Sequence, residues 1–238
     1  MIKNTFVREN KEYTFVYTLN IKMMKDVNYK KLKLDIKELS ANYTVILKEK
    51  VSERIGKMKK DDKSHYLIYR VLGITDKEGD LIDINQNKGR FLYKYAGAFL
   101  EQAAFLCFKY KFHQAQKLKI PNTLGSRPKT FEIDCAVGNM AHEIKWRDAT
   151  TDGDHITKEH TRIKAIKDAG YTPVRIMFYY PNRKKAQKIQ NTLATLYSGV
   201  QGYYYSGDEA WEYILQSTGV NLKEILLEIA NNESSLGE

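Results

Sequence analysis

The feature that most constrains this chain is a turn signal, Gly138-Asn139, which stands between two short runs of strand-compatible residues. A Gly-Asn pair in this setting is typical of a two-residue β-hairpin. If these two residues form the turn, Val137 faces Met140, and the pairing of all later residues follows from that register. The segment FEIDCAVGNMAHEIKWR, residues 131–147, is therefore predicted to fold as a hairpin.

The predicted register sorts the hairpin side chains onto two faces, because side chains alternate along a strand. Asp134 is expected opposite Glu143, and Glu132 opposite Lys145. One face would carry the charged residues Glu132, Asp134, Glu143, Lys145 and Arg147. The other face, the natural core side, would carry Phe131, Ile133, Cys135, His142, Ile144 and Trp146.

The charged face pairs two carboxylates at close range. Residues directly across a strand pair have β-carbons about 5 Å apart, so Asp134 and Glu143 should repel each other. A hard divalent cation that prefers oxygen ligands, such as Mg²⁺, would offset this repulsion. Lys145 returns to the same face, where its ammonium would position or activate a water and offset charge on a phosphate. The pattern suits metal-dependent phosphodiester hydrolysis; the alternative is an amphipathic hairpin whose charged face is merely solvated.

These residues also form a known motif. Asp134 followed by Glu143, Ile144 and Lys145 resembles the signature of the PD-(D/E)xK nuclease superfamily. The proline that usually precedes the aspartate is Ile133 in this chain, a departure that touches no expected ligand. The resemblance implies that Asp134 and Glu143 bind Mg²⁺ and that the Ile144 carbonyl completes the ligand set. It also implies that Lys145 orients or activates the attacking water.

Two further segments resemble a narrower group, the ApaLI-like type II restriction endonucleases. They are IDINQNKGRFLYKYAGAFLE at 82–101 and KWRDATTDGDH at 145–155, and with the hairpin they cover less than a quarter of the chain. In the superfamily, the helix before the hairpin often supplies a further acid, and Glu101 matches that position. The alternative for Glu101 is an acid at a helix edge that pairs with a lysine.

Polar and basic residues in these segments, and in the loop before the hairpin, suit contacts with phosphates or base edges. Turn chemistry explains the asparagines at 85 and 87 equally well, and a polar loop without a ligand is the alternative for Thr150, Thr151, Asp152, Asp154 and His155. The expected DNA contacts are Asn85, Gln86, Asn87, Arg90, Arg127, Lys129, Arg147, Thr150, Thr151, Asp152, Asp154 and His155.

The charge balance agrees with a nucleic-acid partner. The chain has 39 Lys and Arg against 29 Asp and Glu, a net charge of +10, which favours binding to polyanions. Proteins of membrane surfaces and ribosomes share this balance. Zinc chemistry is disfavoured, because only two cysteines occur and neither C-x-x-C nor H-E-x-x-H spacing is found.

The chain length and composition predict one nuclease domain, since 238 residues with four prolines and no Gly/Ser-rich linker suit a single core. Within it we expect an N-terminal elaboration at 1–88, a catalytic core at 89–182 and C-terminal helices at 183–238. Cys107 and Cys135 are expected to be buried free thiols in a reducing cytoplasm. The charged N-terminal residues do not form a signal peptide, so neither secretion nor membrane insertion is indicated.

Periodicity predicts helices at about 27–59, 90–112 and 156–169, and loops at 79–89 and 117–130. A buried strand is expected at 171–181, and a hairpin, a helix and then a strand imply a parallel crossover. Three more helices are expected at 183–196, 208–216 and 221–229, and the tyrosines at 203–205 form a packing surface or stack on unpaired bases. The predicted fold class is α/β, a mixed central β-sheet flanked by helices (a restriction endonuclease-like core) with helical N- and C-terminal elaborations.

Taken together, these observations predict a type II restriction endonuclease that uses Mg²⁺ to hydrolyse both strands of double-stranded DNA at a short palindromic site. A palindrome is read most simply by a two-fold symmetric homodimer, with a cognate DNA methyltransferase as a genetic partner only. One alternative is a structure-selective repair or recombination nuclease of the same superfamily. The other is a noncatalytic DNA-binding module, which the intact set of two carboxylates and a lysine disfavours.

Overall fold

The computed structural model describes residues 29–125, 127–147 and 154–234. These residues form seven helices and five strands. In chain order the elements are α1 (Tyr29–Met58), α2 (Tyr66–Val71), α3 (Asp76–Lys111), β1 (Gln116–Pro121), β2 (Thr130–Val137), β3 (Met140–Arg147), α4 (Asp154–Asp168), β4 (Thr172–Tyr179), α5 (Lys184–Gly199), β5 (Tyr203–Ser206), α6 (Asp208–Thr218) and α7 (Leu222–Ser234). In this described part of the chain, no helix combines the length and the apolar character needed to cross a membrane.

The five strands form one mixed sheet in the order β1-β2-β3-β4-β5. The first three strands pair antiparallel, whereas β3 with β4 and β4 with β5 pair parallel. The β3-α4-β4 connection is the parallel crossover that the sequence predicts. The predicted fold class, a mixed sheet flanked by helices with a helical N-terminal region, is confirmed.

The hairpin forms as predicted at its turn. Gly138 has φ +57°, a conformation that glycine adopts without the steric cost other residues meet. Val137 pairs with Met140, and the next two pairs outward, ending with Cys135 and His142, also match the predicted register. Beyond Cys135 the ladder between β2 and β3 stops, so the predicted pairs of residues 134 with 143 and 132 with 145 are not part of it.

The ladder stops because β2 contains a β-bulge. Gln116 of β1 pairs with Ala136, but Leu118 pairs with Ile133, so three steps along β2 match two along β1. The bulge therefore lies at Asp134 and Cys135, and an extra residue reverses which face the following side chains occupy.

This reversal corrects part of the predicted face assignment. Phe131 and Ile133 join the same buried cluster as Ala136 and Ala141, together with Ile166 of α4. They were expected on the opposite face, beside Cys135 and His142. The alternating pattern fails here because it assumes an unbroken strand. Glu132, which was expected beside Asp134, is exposed and pairs with Lys119 of β1.

The other face of the hairpin packs as predicted around His142. Its ring lies 4.5 Å from that of Phe108 on α3; Nδ1–H donates to the Cys135 carbonyl, and Nε2 accepts from the Tyr213 hydroxyl, each at 2.9 Å. Burial lowers the pKa of His142 to about 4, so the ring is neutral at physiological pH. Cys107 and Cys135 are buried free thiols, as expected.

The long helix α3 begins much earlier than predicted. Residues 79–89 were expected to form a loop, yet the helix starts at Asp76. The Thr75 hydroxyl accepts a hydrogen bond from the Glu78 backbone N–H at 3.3 Å, and the Glu78 carboxylate accepts one from the Thr75 backbone N–H at 2.8 Å. This reciprocal capping box stabilises the helix start, and its T-x-x-E spacing was visible in the sequence.

Two edge strands were also missed. The loop predicted at 117–130 contains most of β1, and the tyrosine run at 203–205 forms β5 beside β4. In β5, Tyr204 donates a hydrogen bond to Gln190 at 2.7 Å, and the ring of Tyr205 stacks on that of Tyr213 at 4.2 Å. Both strands are short and polar or aromatic, so they lack the apolar run that reveals a buried strand.

The chain divides into two compact units. One comprises residues Glu38–Phe99, where the hydroxyls of Tyr66 and Tyr69 donate to Asp80 and Asp83, both at 2.9 Å. The other comprises the described residues within Met1–Lys37 and Leu100–Glu238, and these include the whole sheet. The expected division of a single nuclease domain at residues 88 and 182 stays a prediction.

We predict that Gly202→Ala destabilises the sheet-containing unit. A β-carbon at Gly202 would lie 2.6 Å from the carbonyl oxygen of Pro173 and 3.1 Å from that of Tyr197, and both are backbone atoms that cannot rotate away. Overpacking of this kind costs about 1–3 kcal/mol, which urea unfolding would measure. Gly199→Ala, at the end of α5 with nothing within 4 Å, is the matched control and should leave stability unchanged or slightly higher. Equal urea midpoints for the two variants would contradict this account.

Candidate active site

The hairpin brings together three of the residues that the sequence predicts for catalysis. Lys145 Nζ lies 2.5 Å from Glu143 Oε1 and 3.7 Å from Asp134 Oδ2. Asp134 and Glu143 are 7% and 2% exposed, so the charged side chains are not a solvated face. The alternative of an ordinary amphipathic hairpin is therefore wrong for these residues.

A backbone hydrogen bond fixes Asp134. The Ile144 N–H donates to Asp134 Oδ2 at 2.7 Å. In an unbroken ladder, Ile144 would face Ile133, but the pairing with β2 ends before that point and the aspartate side chain accepts the hydrogen bond instead. The same local distortion that ends the ladder thus holds the carboxylate beside β3.

Burial and a neighbouring acid disfavour the charged form of Asp134. Removal from water raises the pKa, and the charge of Glu143 raises it further. Lys145 and the Ile144 N–H act in the opposite direction, and the balance leaves the pKa of Asp134 at about 7. A bound cation would relieve the repulsion between these two buried carboxylates.

Glu143 presents one satisfied and one unsatisfied oxygen. Oε1 receives both Lys145 and the guanidinium of Arg162 on α4. Oε2 is buried and, within the residues that the structure describes, has no hydrogen-bond partner. Leaving a buried carboxylate oxygen unpaired is costly. Burial lowers the pKa of Lys145, but the charges of Glu143 and Asp134 outweigh this and hold it above its ordinary value.

A second layer of charges supports the site, and sequence reasoning missed it. Glu159 and Arg162 lie three residues apart on α4, with Arg162 Nε 3.9 Å from Glu159 Oε2. Arg175 of β4 pairs with Glu143 in the ladder, and its Nη1 lies 3.0 Å from Glu159 Oε1. Tyr197 donates to the same oxygen at 2.6 Å. The available signal was Arg175 itself, a charge inside the apolar run of a buried strand.

Glu101 lies near the cluster but is already paired. Its Oε1 is 2.5 Å from Lys117 Nζ, and its charge contributes to the raised pKa of Asp134. The contact matches the alternative of an acid paired with a lysine, and the proximity to Asp134 matches the expected further acid. A role in metal binding stays a prediction.

The expected DNA contacts at 85–90 belong to the Glu38–Phe99 unit. Asn85, Gln86, Asn87 and Arg90 lie on helix α3, so turn chemistry does not explain the asparagines. Asn87 donates to the Asp83 carbonyl at 2.9 Å and accepts from Arg54 at 3.2 Å. Contact with DNA stays a prediction for all four.

The remaining expected contacts flank the hairpin. Arg127, Lys129 and Arg147 are exposed, the first two before β2 and the last at the end of β3. Of the others, Asp154 and His155 open helix α4, and nothing is described of their side chains. Three further expected contacts lie outside the described residues: Thr150, Thr151 and Asp152.

The donor set of the cluster fits a hard cation. Across the described ranges, no group of three or more His, Cys, Asp or Glu side chains is placed to hold a metal ion. The cluster instead offers two carboxylates, and the unpaired Glu143 Oε2 is an acceptor in need of a positive partner. Oxygen donors of this kind suit Mg²⁺, whose remaining positions are commonly filled by water and phosphate.

The fold and the cluster define an α/β protein with a buried site of two carboxylates and a lysine, a set suited to phosphodiester hydrolysis. The chain matches the family model described as ApaLI-like restriction endonuclease over residues 18–231, and it belongs to that family. The predicted group is thus confirmed, and with it a nuclease of the restriction endonuclease class that acts on DNA. No curated protein and no solved structure matches the chain.

We predict that Asp134→Asn stabilises the metal-free protein. The amide keeps an acceptor for the Ile144 N–H and removes a buried charge that faces Glu143. Because the pKa of Asp134 is raised to about 7 in the folded state, stability is lost as the pH rises from the ordinary aspartate pKa through about 7, so at pH 8 the gain from the amide should be about 1–3 kcal/mol. Urea unfolding with a chelator would measure it.

The matched control for this substitution is Glu212→Gln. Glu212 is exposed on α6 and accepts a hydrogen bond from Gln216 at 2.9 Å, which the amide can still accept. Its stability should change by no more than about 0.5 kcal/mol. A lower stability for Asp134→Asn than for wild type would show that Lys145 stabilises the aspartate charge more than burial disfavours it.

Proposed function

We propose that this protein is a type II restriction endonuclease that uses Mg²⁺ to hydrolyse both strands of DNA at a short palindromic site. The observation that carries the proposal is the contact of Lys145 with both Asp134 and Glu143 at a buried position. Membership of a restriction endonuclease family supports the same conclusion. The proposal places the protein in the PD-(D/E)xK superfamily.

In this proposal each residue of the cluster has one task. Asp134 and Glu143 hold Mg²⁺, and the Ile144 carbonyl completes the protein ligands. When bound, the ion would supply Lewis-acid stabilisation of the scissile phosphate and lower the pKa of the attacking water. Lys145 Nζ, which already spans both carboxylates, orients that water and offsets charge on the phosphate. Glu101 assists as an outer acid.

The proposed partner is double-stranded DNA, bound by a homodimer whose two-fold symmetry matches a palindromic site. The net charge of +10 favours attraction to the phosphate backbone. A cognate DNA methyltransferase is the proposed genetic partner, and the cytoplasm the proposed location. Backbone or base contacts are proposed for Asn85, Gln86, Asn87, Arg90, Arg127, Lys129, Arg147, Thr150, Thr151, Asp152, Asp154 and His155.

The test is digestion of plasmid and phage DNA of known sequence with Mg²⁺, with fragment ends mapped by sequencing. We expect fixed ends with wild type, and a rate lower by at least about 10²-fold with Asp134→Asn and Lys145→Ala, because each loses several kcal/mol of electrostatic stabilisation. Lys164→Ala, which removes an exposed lysine of α4, should cut like wild type.

Other results would point to the alternatives. Cleavage that depends on branches or flaps rather than on sequence would identify a structure-selective nuclease. Binding of duplex and branched DNA without cleavage would leave only a DNA-binding role. Activity that persists in Asp134→Asn would remove this cluster from the mechanism.

A further inference from the structure

The mechanism above leaves four buried or half-buried polar residues without a task. Arg162 contacts Glu143 directly, while Glu159, Arg175 and Tyr197 lie behind it. We propose that Arg162 is a positioning residue: its guanidinium fixes Oε1 of Glu143 and thereby turns Oε2 to the metal position. This inference rests on the metal site of the proposed function.

The two carboxylate oxygens of Glu143 have different surroundings. Oε1 contacts both cations, Lys145 and Arg162, whereas Oε2 has no hydrogen-bond partner among the described residues. Lysine is a compact charge on a flexible stem, and it can follow the carboxylate through a rotation. Arginine presents a rigid planar fork, so it specifies the orientation of its partner. Arg162 is therefore the contact that decides which oxygen stays unpaired.

Arg162 is itself held in place by its neighbours. Its guanidinium carbon lies 5.7 Å from the centre of the Phe131 ring, and its Nε lies 3.9 Å from Glu159 Oε2. Glu159 is anchored at its other oxygen by Arg175 at 3.0 Å and Tyr197 at 2.6 Å. A chain of contacts thus runs from β4 and α5 through α4 to the carboxylate of Glu143.

The neighbours of Glu159 keep this buried carboxylate charged. Burial alone raises its pKa, but Arg175 and Arg162, with the Tyr197 hydroxyl, outweigh it and lower the pKa to about 2. A buried ion pair is a poor source of net stability compared with apolar packing. Retaining such a set next to a candidate metal ligand is better explained by control of geometry, because metal ligands need orientation by the groups behind them.

A rival explanation makes the opposite prediction. If Arg162 were only a nearby positive charge, it would repel Mg²⁺, and removing it would strengthen metal binding. If Arg162 positions Glu143, removing it weakens binding although the repulsion is relieved. Replacement of Arg162 by lysine also distinguishes these two explanations, since the positive charge stays while the rigid planar fork is lost.

The test is calorimetric titration with Mg²⁺ alone, without DNA, on wild type, Arg162→Lys, Arg162→Gln and Tyr197→Phe. We expect both Arg162 variants to bind Mg²⁺ about 10- to 100-fold more weakly, as is usual for residues that orient metal ligands. Tyr197→Phe removes one hydroxyl and no charge, and it should weaken binding by a smaller factor in the same direction. Circular dichroism checks that each variant is folded. If the glutamine variant does not fold, Arg162→Lys and Tyr197→Phe are compared with wild type instead.

Asp134→Asn is the control that separates this inference from the proposed function. Absence of Mg²⁺ binding by wild type, or binding that Asp134→Asn retains, would overturn the proposed metal site and the role of Arg162 with it. Binding that is lost in Asp134→Asn but unchanged in Arg162→Lys and stronger in Arg162→Gln would overturn only the positioning role. Exposed Lys164→Ala should titrate like wild type.

Discussion

The hydrogen bond from the Ile144 N–H to Asp134 is the interaction on which the site depends. It exists because the β-bulge in β2 ends the ladder with β3 two pairs after the pair next to the turn, so a backbone donor is left without its usual carbonyl. A buried backbone N–H without a partner is costly, and the carboxylate that meets this need is fixed by it. The bulge thus converts a strand residue into an immobile acid beside Glu143 and Lys145.

The sequence predicts the hairpin turn and the first cross-strand pairs because these depend only on neighbouring residues. Gly138 tolerates the positive φ of the turn, and the register then follows from counting. The bulge was out of reach for a different reason. It is defined by the offset of β2 against β1, and β1 was predicted as a loop. A prediction that misses the partner strand cannot find a distortion that exists only relative to that partner.

The residues of the candidate site also divide into those that depend on sequence neighbours and those that depend on distant elements. Asp134, Glu143 and Lys145 could be found because one hairpin carries all three, and local alternation brings them close. Arg162 could not be assigned, since its contact with Glu143 requires helix α4 to return across the sheet after β3. That placement is a tertiary property, set by packing of the helix on the sheet. Only Arg175, a charge within an apolar strand, gave a local sign of the buried network.

Charge balance explains how the sheet tolerates so many buried ionisable groups. The cluster has three acids and three bases, namely Asp134, Glu143, Glu159, Lys145, Arg162 and Arg175. Each of the three acids has a cation within ion-pair distance, and Asp134, which lies 3.7 Å from Lys145 Nζ, is the one whose pKa rises to about 7. Among the described residues, the acids and bases of the cluster largely neutralise each other, and the two buried side-chain atoms left without a hydrogen-bond partner are Glu143 Oε2 and Arg175 Nε. A buried carboxylate oxygen without a partner, close to a carboxylate whose pKa is raised, is suited to receive a cation.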